Sequence, residues 1–254
     1  MITCNLIGGL GNKMFQITAA YSLGLDNNEP SGFEITPQSN DHSTIDSYRN
    51  NIFRHITFGG CDSTNSFMEP RYHYSDIPYT PNLRLLGYYQ SEKYFINNRD
   101  SVLSLFSIDV DSKKYIEEKY GDNLTKNTTS LHVRRGDYLK LSNHHPTCDL
   151  SYYNKAMESF GDDTTYLVFS DDTQWCRESF VGDNFIFVDG NPDYIDMWLM
   201  SLCDNNIIAN SSFSWWGAWL NTNPNKKVIA PNKWFGPAIK HNTKDLIPNT
   251  WEKI

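Results

Sequence analysis

The sequence predicts an α/β protein in two parts, and three observations carry that reading. The chain opens on a strand, a glycine-rich loop and a helix in immediate succession. From about residue 130 onward, short β-rich runs alternate strictly with helical stretches. The polar stretch "GDNLTKNTT" (121–129), which has no apolar periodicity, separates an irregular first half from this regular second half. The boundary is accordingly expected near 125/126, giving an N-terminal α/β domain over 1–125 and a C-terminal one over 126–254 whose last residues pack back on the first.

"ITCNLI" (2–7) reads as the opening strand and "GGLGN" (8–12) as the loop. "KMFQITAAYSLGL" is a helix, because Met14, Ile17, Tyr21 and Leu25 recur at helical spacing. Residues 26–81 are polar, aromatic and turn-rich. "LRLLGYYQ" (83–90) then begins as a strand and leads into a helical stretch ending near Tyr120. In the second half, strands are expected at 130–133, 165–169, 185–188, 206–209 and 227–230. Helices are expected near 150–160, 173–180, 193–203 and 214–221. Such alternation implies right-handed crossovers and a parallel sheet covered on both faces. In such a sheet, ligands bind at the carboxyl ends of the strands.

Composition narrows the function. A net charge of -8 with scattered basic residues argues against nucleic acid as a partner, so any phosphate contacted is small. Aromatic residues make up 14%, enough to serve a ligand as well as the core. The five cysteines (Cys4, Cys61, Cys148, Cys176, Cys203) are odd in number and never form a CxxC pair, which suggests neither a disulfide framework nor a zinc site and fits a reducing compartment. No apolar run approaches the roughly 18 residues of a spanning helix, and a strand follows Met1 directly, leaving no room for a signal peptide. The expectation is a cytoplasmic protein with no membrane span.

Four segments fall at expected strand ends or helix starts and could meet in one cleft: "GGLGN", "HVRRGDY", "FSDD" and "NSSFSWWGAWL". Gly8, Gly9 and Gly11 allow close backbone approach and offer N–H groups at a positive helix end. Met14 stands where a dinucleotide fingerprint needs glycine, and the Walker lysine pattern is missing. Strand alternation puts His132 and Arg134 on one side, opposite Leu131, Val133 and Arg135. Arg134 can then grip a phosphate with its planar fork and His132 can donate to phosphate, ribose or base, while Arg135 is expected to pair internally with Asp137. Ser211 and Ser212 can cap the helix that follows or form an anion nest with Phe213 near the sugar or base. Trp215, Trp216 and Trp219 read as core. Asp196, in an otherwise apolar helix, needs partners, either the helix N-terminus or the two N–H edges of a guanine. Asp172 and its neighbours in "FSDD" read as a helix cap, and Asp109-Val110-Asp111 as a solvated acidic loop rather than a metal site.

Taken together, "GGLGNKMFQ", "HVRRGDY", "CDLSYYNKAM", "FSDDTQWC" and "NSSFSWWGAWL" resemble the α-1,2-fucosyltransferase family of inverting, GDP-fucose-dependent enzymes. The resemblance covers residues 1–25 and 130–220 and leaves the middle uncovered. It implies a GT-B-like architecture, two Rossmann-like halves facing a cleft, with the nucleotide sugar held mainly by the C-terminal half. It also implies GDP-fucose as donor, a glycan as acceptor, and no metal or other cofactor. Carried over residue by residue, it assigns Arg134 to the β-phosphate, His132 to the nucleoside side, Ser211, Ser212 and Phe213 to the diphosphate, and Asp196 to guanine. It further places Gly9, Gly11 and Asn12 with the donor sugar and acceptor. In the related core-fucosylating enzymes a lysine and then a glutamate follow the arginine motif. Here Tyr138 and Ser142 stand at those positions, so the candidates for the base are Asp171, Asp137 and His145. A noncatalytic nucleotide or sugar binder and a transferase using another nucleotide sugar are the alternatives.

Overall fold

In the computed structural model, which describes residues 1–34, 42–60, 62–125 and 127–254, the chain divides into two compact units. The first comprises Met1–Asp109 and His241–Pro248; the second comprises Val110–Lys240 and Asn249–Ile254. Cys61 lies outside the described residues.

The first unit contains β1 (Ile2–Cys4), α1 (Leu10–Asp26), α2 (His42–Arg49), β2 (Asn65–Met68), β3 (Leu83–Leu86) and α3 (Arg99–Leu105). Its three strands run parallel in the order β1-β3-β2, with Ile2 and Asn65 both in register with Leu83. α1 starts at Leu10 with Gly9 as its N-cap, so Gly11 and Asn12 lie in the first helical turn and not in a loop.

The second unit begins with α4 (Val110–Leu124) and β4 (Thr128–Val133). Then come α5 (Leu150–Met157), β5 (Thr165–Ser170), α6 (Thr173–Ser179), β6 (Phe185–Val188), α7 (Asp193–Leu202), β7 (Asn205–Ile207), α8 (Ser212–Leu220), β8 (Val228–Ala230) and β9 (Glu252–Lys253). The sheet order is β6-β5-β4-β7-β8-β9, and every pair is parallel. From β4 the chain winds outward through β5 and β6, then returns to build β7 and β8 on the other side. The winding direction therefore reverses between β4 and β7.

Alternation along β4 sorts residues to the two faces. Leu131 and Val133 join Tyr153 and Ala156 of α5, Cys176 of α6, and Tyr166, Val168, Ile207 and Ile229 of the sheet in one buried cluster. On the opposite face, Asn206 of β7 donates to Ser130 Oγ at 2.7 Å and to the Met200 carbonyl of α7 at 2.8 Å. The helix starts are capped as short acceptors allow: Asp149 accepts from Tyr152 N, Asp172 from Trp175 N, and Ser211 from Phe213 N. In α8, Trp215, Trp216 and Trp219 are all at most 2% exposed and form core, as their helical spacing suggests.

The division between units precedes α4, whereas the sequence places it after that helix. Ser112, Ile116 and Tyr120 are buried at i, i+4 intervals, and this stripe packs α4 toward α7, carrying the helix into the second unit. The tail serves both units. Residues 241–248 belong to the first unit, but the last six return to the second as β9 pairs with β8, Ile229 in register with Glu252.

Candidate active site

At the reversal between β4 and β7, adjacent connections leave the carboxyl ends of their strands in opposite directions, which is where an open α/β sheet takes its ligand. The residues that follow β4 and β7 stand at this point. His132, the penultimate residue of β4, faces Phe213 in the first turn of α8, ring centroids 5.5 Å apart. Its carbonyl accepts from Tyr153 Oη at 3.2 Å. His132 is 5% exposed, and burial, reinforced by the charge of Arg134, pushes its pKa down to about 3, so the imidazole is neutral near pH 7. Its Nδ1 is buried and has no hydrogen-bond partner among the described residues. An unsatisfied buried nitrogen costs on the order of 1–3 kcal/mol, which a ligand group could recover.

Arg134 stands just past the strand, half-buried, between two carboxylates. Nη2 pairs with Asp137 Oδ1 at 2.6 Å and Nη1 with Asp171 Oδ2 at 2.9 Å. A guanidinium carries five N–H donors, so these pairs leave donor capacity for an anion. The expected Arg135–Asp137 pair is not what forms. After Val133 the chain turns at Gly136 into a 3-10 turn over Asp137–Lys140, and the i, i+3 relation brings Asp137 beside Arg134. Arg135 instead pairs through Nε with Asp172 Oδ2 at 3.0 Å and lies over the Trp175 ring at 4.0 Å.

Asp171 is committed on both oxygens, since Oδ1 accepts the Arg135 backbone N–H at 2.8 Å while Oδ2 holds Arg134. Gly136 makes this possible: a Cβ there would fall 2.5 Å from Asp171 Oδ2. His145 stacks on Tyr138, ring centroids 4.9 Å apart, and burial lowers its pKa. Tyr138 Oη in turn donates to the Asn210 carbonyl at 3.2 Å. Asn210 is itself buried, its amide donating to the carbonyls of Pro146 at 2.8 Å and Trp234 at 2.9 Å. Asn210 thus ties the residues after β4 to those before α8, a role its sequence position alone does not reveal.

Asp196 sits in the first turn of α7, and burial, the largest cause, pushes its carboxyl up to about 6. Its Oδ1 accepts from Asn191 Nδ2 at 2.8 Å. Ser212, Phe213 and Ser211 gather at the start of α8, as the sequence predicts for a cap.

In the first unit, Gly8 adopts a φ of +78°, which favours glycine, and a Cβ there would fall 2.4 Å from Asn12 Nδ2. Asn12 Oδ1 accepts from Gln90 Nε2 at 2.8 Å. Gln16 Oε1 accepts the Ile7 N–H at 2.9 Å, and the buried Lys13 bonds the Gly8 carbonyl. Lys13, Gln16 and Gln90 are the supports that sequence reading missed. For Lys13 and Gln16 the available signal was their polar character inside the apolar stripe of α1. Among the described residues no group of three or more His, Cys, Asp or Glu side chains could hold a metal ion, and Asp111 lies in the first turn of α4. No helix among them is long and apolar enough to cross a membrane.

The architecture of two units, each built on a parallel sheet, recurs among solved structures. The fucosyltransferase NodZ from Bradyrhizobium superimposes with a TM-score of 0.52 at 13% identity, over 85% of this chain and 92% of that one. POFUT1 in complex with GDP-fucose gives 0.54 at 11%, over 90% and 97%. The fold is therefore α/β of GT-B type. Residues 64–253 match the family described as glycosyl transferase family 11, and the chain belongs to that family. It is thus a glycosyltransferase, similar to the α-1,2-fucosyltransferases. It is 32% identical to the O-antigen biosynthesis glycosyltransferase WbnK of Escherichia coli over 99% of both chains. It is 30% identical to an Escherichia coli alpha-1,2-colitosyltransferase, over 100% of this chain and 99% of that one. It is 26% identical to the galactoside alpha-(1,2)-fucosyltransferase 2 of Oryctolagus cuniculus, over 87% and 67%.

Proposed function

We propose that the protein is an inverting transferase that moves L-fucose from GDP-fucose to a galactose-type hydroxyl of a glycan, forming an α-1,2 linkage without a metal ion. The observation that carries this reading is the convergence of His132, Arg134 and the Ser211–Phe213 helix start at the strand reversal, with His132 and Phe213 in ring contact at 5.5 Å. Arg134 and the N–H groups at the start of α8 take the diphosphate and stabilise the charge that grows on departing GDP, where fixed donors are worth most. Neutral His132 offers one ring nitrogen as a donor to the nucleotide. Asp196 reads the guanine, whose adjacent N1–H and N2–H match a carboxylate.

The first unit serves the acceptor, with Gly9, Gly11 and Asn12 assigned to the donor sugar and the incoming hydroxyl. Asp171, with both oxygens engaged, acts by holding Arg134. That leaves Asp137, 54% exposed on its side chain, and His145 as candidates for the base that takes the hydroxyl proton. A second reading has a specific support: the 30% identity to an alpha-1,2-colitosyltransferase favours colitose in place of fucose as the sugar transferred.

The test incubates the protein with GDP-fucose, GDP-colitose, other GDP-sugars and UDP-sugars plus lactose, with and without EDTA. Expected is GDP release and a 2-linked fucosyl product from GDP-fucose, at the same rate with the chelator. Faster turnover of GDP-colitose selects the second reading. GDP binding without turnover, turnover of a UDP-sugar, or activity abolished by EDTA would each reject the scheme.

A further inference from the structure

Asn191, in the connection from β6 to α7, is bonded on all four sides of its amide. Nδ2 donates to Asp196 Oδ1 at 2.8 Å and to Tyr120 Oη at 2.9 Å. Oδ1 accepts from Tyr115 Oη at 2.7 Å and from Lys119 Nζ at 2.8 Å. An ammonium can only donate, so the atom facing Lys119 must be the amide oxygen, and the orientation of the amide is fixed. Its two donors and two lone pairs are then all used. Tyr115, Lys119 and Tyr120 lie within two turns of α4, so that helix holds the amide at the carboxyl edge of the sheet. Lys119 is secured further by the carbonyl of Asp189 at 3.3 Å.

We propose that Asn191 is a positioning residue for base recognition: anchored by α4, it sets the attitude and charge of the Asp196 carboxylate that selects guanine. The inference rests on the reading of Asp196 given above. A carboxylate that must accept two adjacent N–H groups has one productive rotation about its Cβ–Cγ bond, and a bond to one oxygen selects that rotation. The same bond keeps the group ionised. Burial and the charges of Asp193 and Asp189 raise the Asp196 carboxyl, while the Asn191 hydrogen bond and Lys119 oppose them. Arg177 of α6 pairs with Asp189 at 2.9 Å and moderates it. With its pKa about 6, the carboxyl protonates as pH falls through that value, and guanine then meets a donor where it needs an acceptor. Loss of either opposing group moves this limit to higher pH.

The experiment measures GDP and IDP affinity by calorimetry from pH 5.5 to 8.5 for the full chain and for Asn191→Ala, Lys119→Ala and Asp196→Asn. IDP lacks the N2 amino group. For Asn191→Ala, the acid limb of GDP binding should move up by about one pH unit, a tenfold weakening on the limb, with a far smaller loss at pH 8.5 and reduced preference for GDP over IDP. Lys119→Ala, on the exposed face of α4, should shift the limb the same way by less, and it keeps the test open should Asn191→Ala fail to fold. An equal loss at every pH, or an unmoved limb in both variants, would overturn the inference. If Asp196→Asn keeps full GDP over IDP preference, the guanine reading itself falls. If it loses that preference while the other two keep the parent profile, only the role of Asn191 falls.

Discussion

Two adjacent arginines carry the same charge but do different work, because their neighbours differ. Arg134 is held by Asp137 and Asp171, while Arg135 pairs with Asp172 and covers Trp175 at 4.0 Å. A lysine preserves charge but loses the planar fork and its stacking. Arg134→Lys should therefore lower transfer by about 10²–10³ with thermal stability near that of the parent. Arg135→Lys should keep most of the turnover and lower stability by about 1 kcal/mol through the lost cation–π contact and Asp172 bond. Paired kinetics and thermal melts check both, and equal catalytic losses without destabilisation would contradict the assignment. The motif "HVRRGDY" made the residues visible in the sequence, and period-2 alternation separated His132, which meets Phe213, from Leu131 and Val133 in the core. It did not say which carboxylate each arginine takes, because the answer depends on a 3-10 turn after Gly136 and on Asp171 and Asp172, brought in by the neighbouring strand β5.

At the scale of elements, α7 and α8 approach so closely that side-chain volume becomes the constraint. A Cβ added to Gly217 would fall 2.8 Å from Met200 Cβ and 2.9 Å from its Sδ. The thioether could move, but Met200 Cβ moves only with its helix. Gly217→Ala should therefore cost about 1–3 kcal/mol by overpacking, despite the better helix propensity of alanine. Gly9→Ala, where a Cβ would meet nothing within 4 Å, should leave stability nearly unchanged. Urea denaturation of the two variants makes the comparison. In the second unit β5 and β8 were legible because they are buried along almost their whole length and read as short apolar runs closed by polar turn residues, whereas the exposed Glu252–Lys253 of β9 gives no such run. β2 was not, since Asn65–Met68 is largely exposed and offers neither an apolar run nor alternation. The Gly8–Asn12 support was equally hidden, because Gln90 reaches Asn12 from a segment 78 residues away.

At the scale of the whole molecule, the end of the chain belongs to both units in turn. Residues 241–248 are anchored in the first, where Lys93 pairs with Asp245 at 2.6 Å, Ser91 Oγ donates to the Asp245 carbonyl at 2.6 Å, and His241 stacks on Tyr72 with centroids 4.7 Å apart. The last residues then complete the second. Trp251, 7% exposed, packs against Trp215 at 5.4 Å, and Ile254 N donates to the Ala230 carbonyl at 3.1 Å. A boundary read from sequence cannot show this, since no composition change marks 240 or 249. It follows that each unit draws on the tail separately. Ending the chain after Pro248 removes β9 and the Trp251 ring, and Trp251→Ala removes the ring alone, at a cost of about 3–5 kcal/mol for a buried tryptophan. Hydrogen exchange should then show protection falling in β7, β8 and α8 of both variants, with α1 and β3 protected as in the parent. Ending the chain after Lys240 should extend the loss to the turn around Ser91 and Lys93. If protection in α1 and β3 fell equally in Trp251→Ala, the tail would not be serving the two units independently.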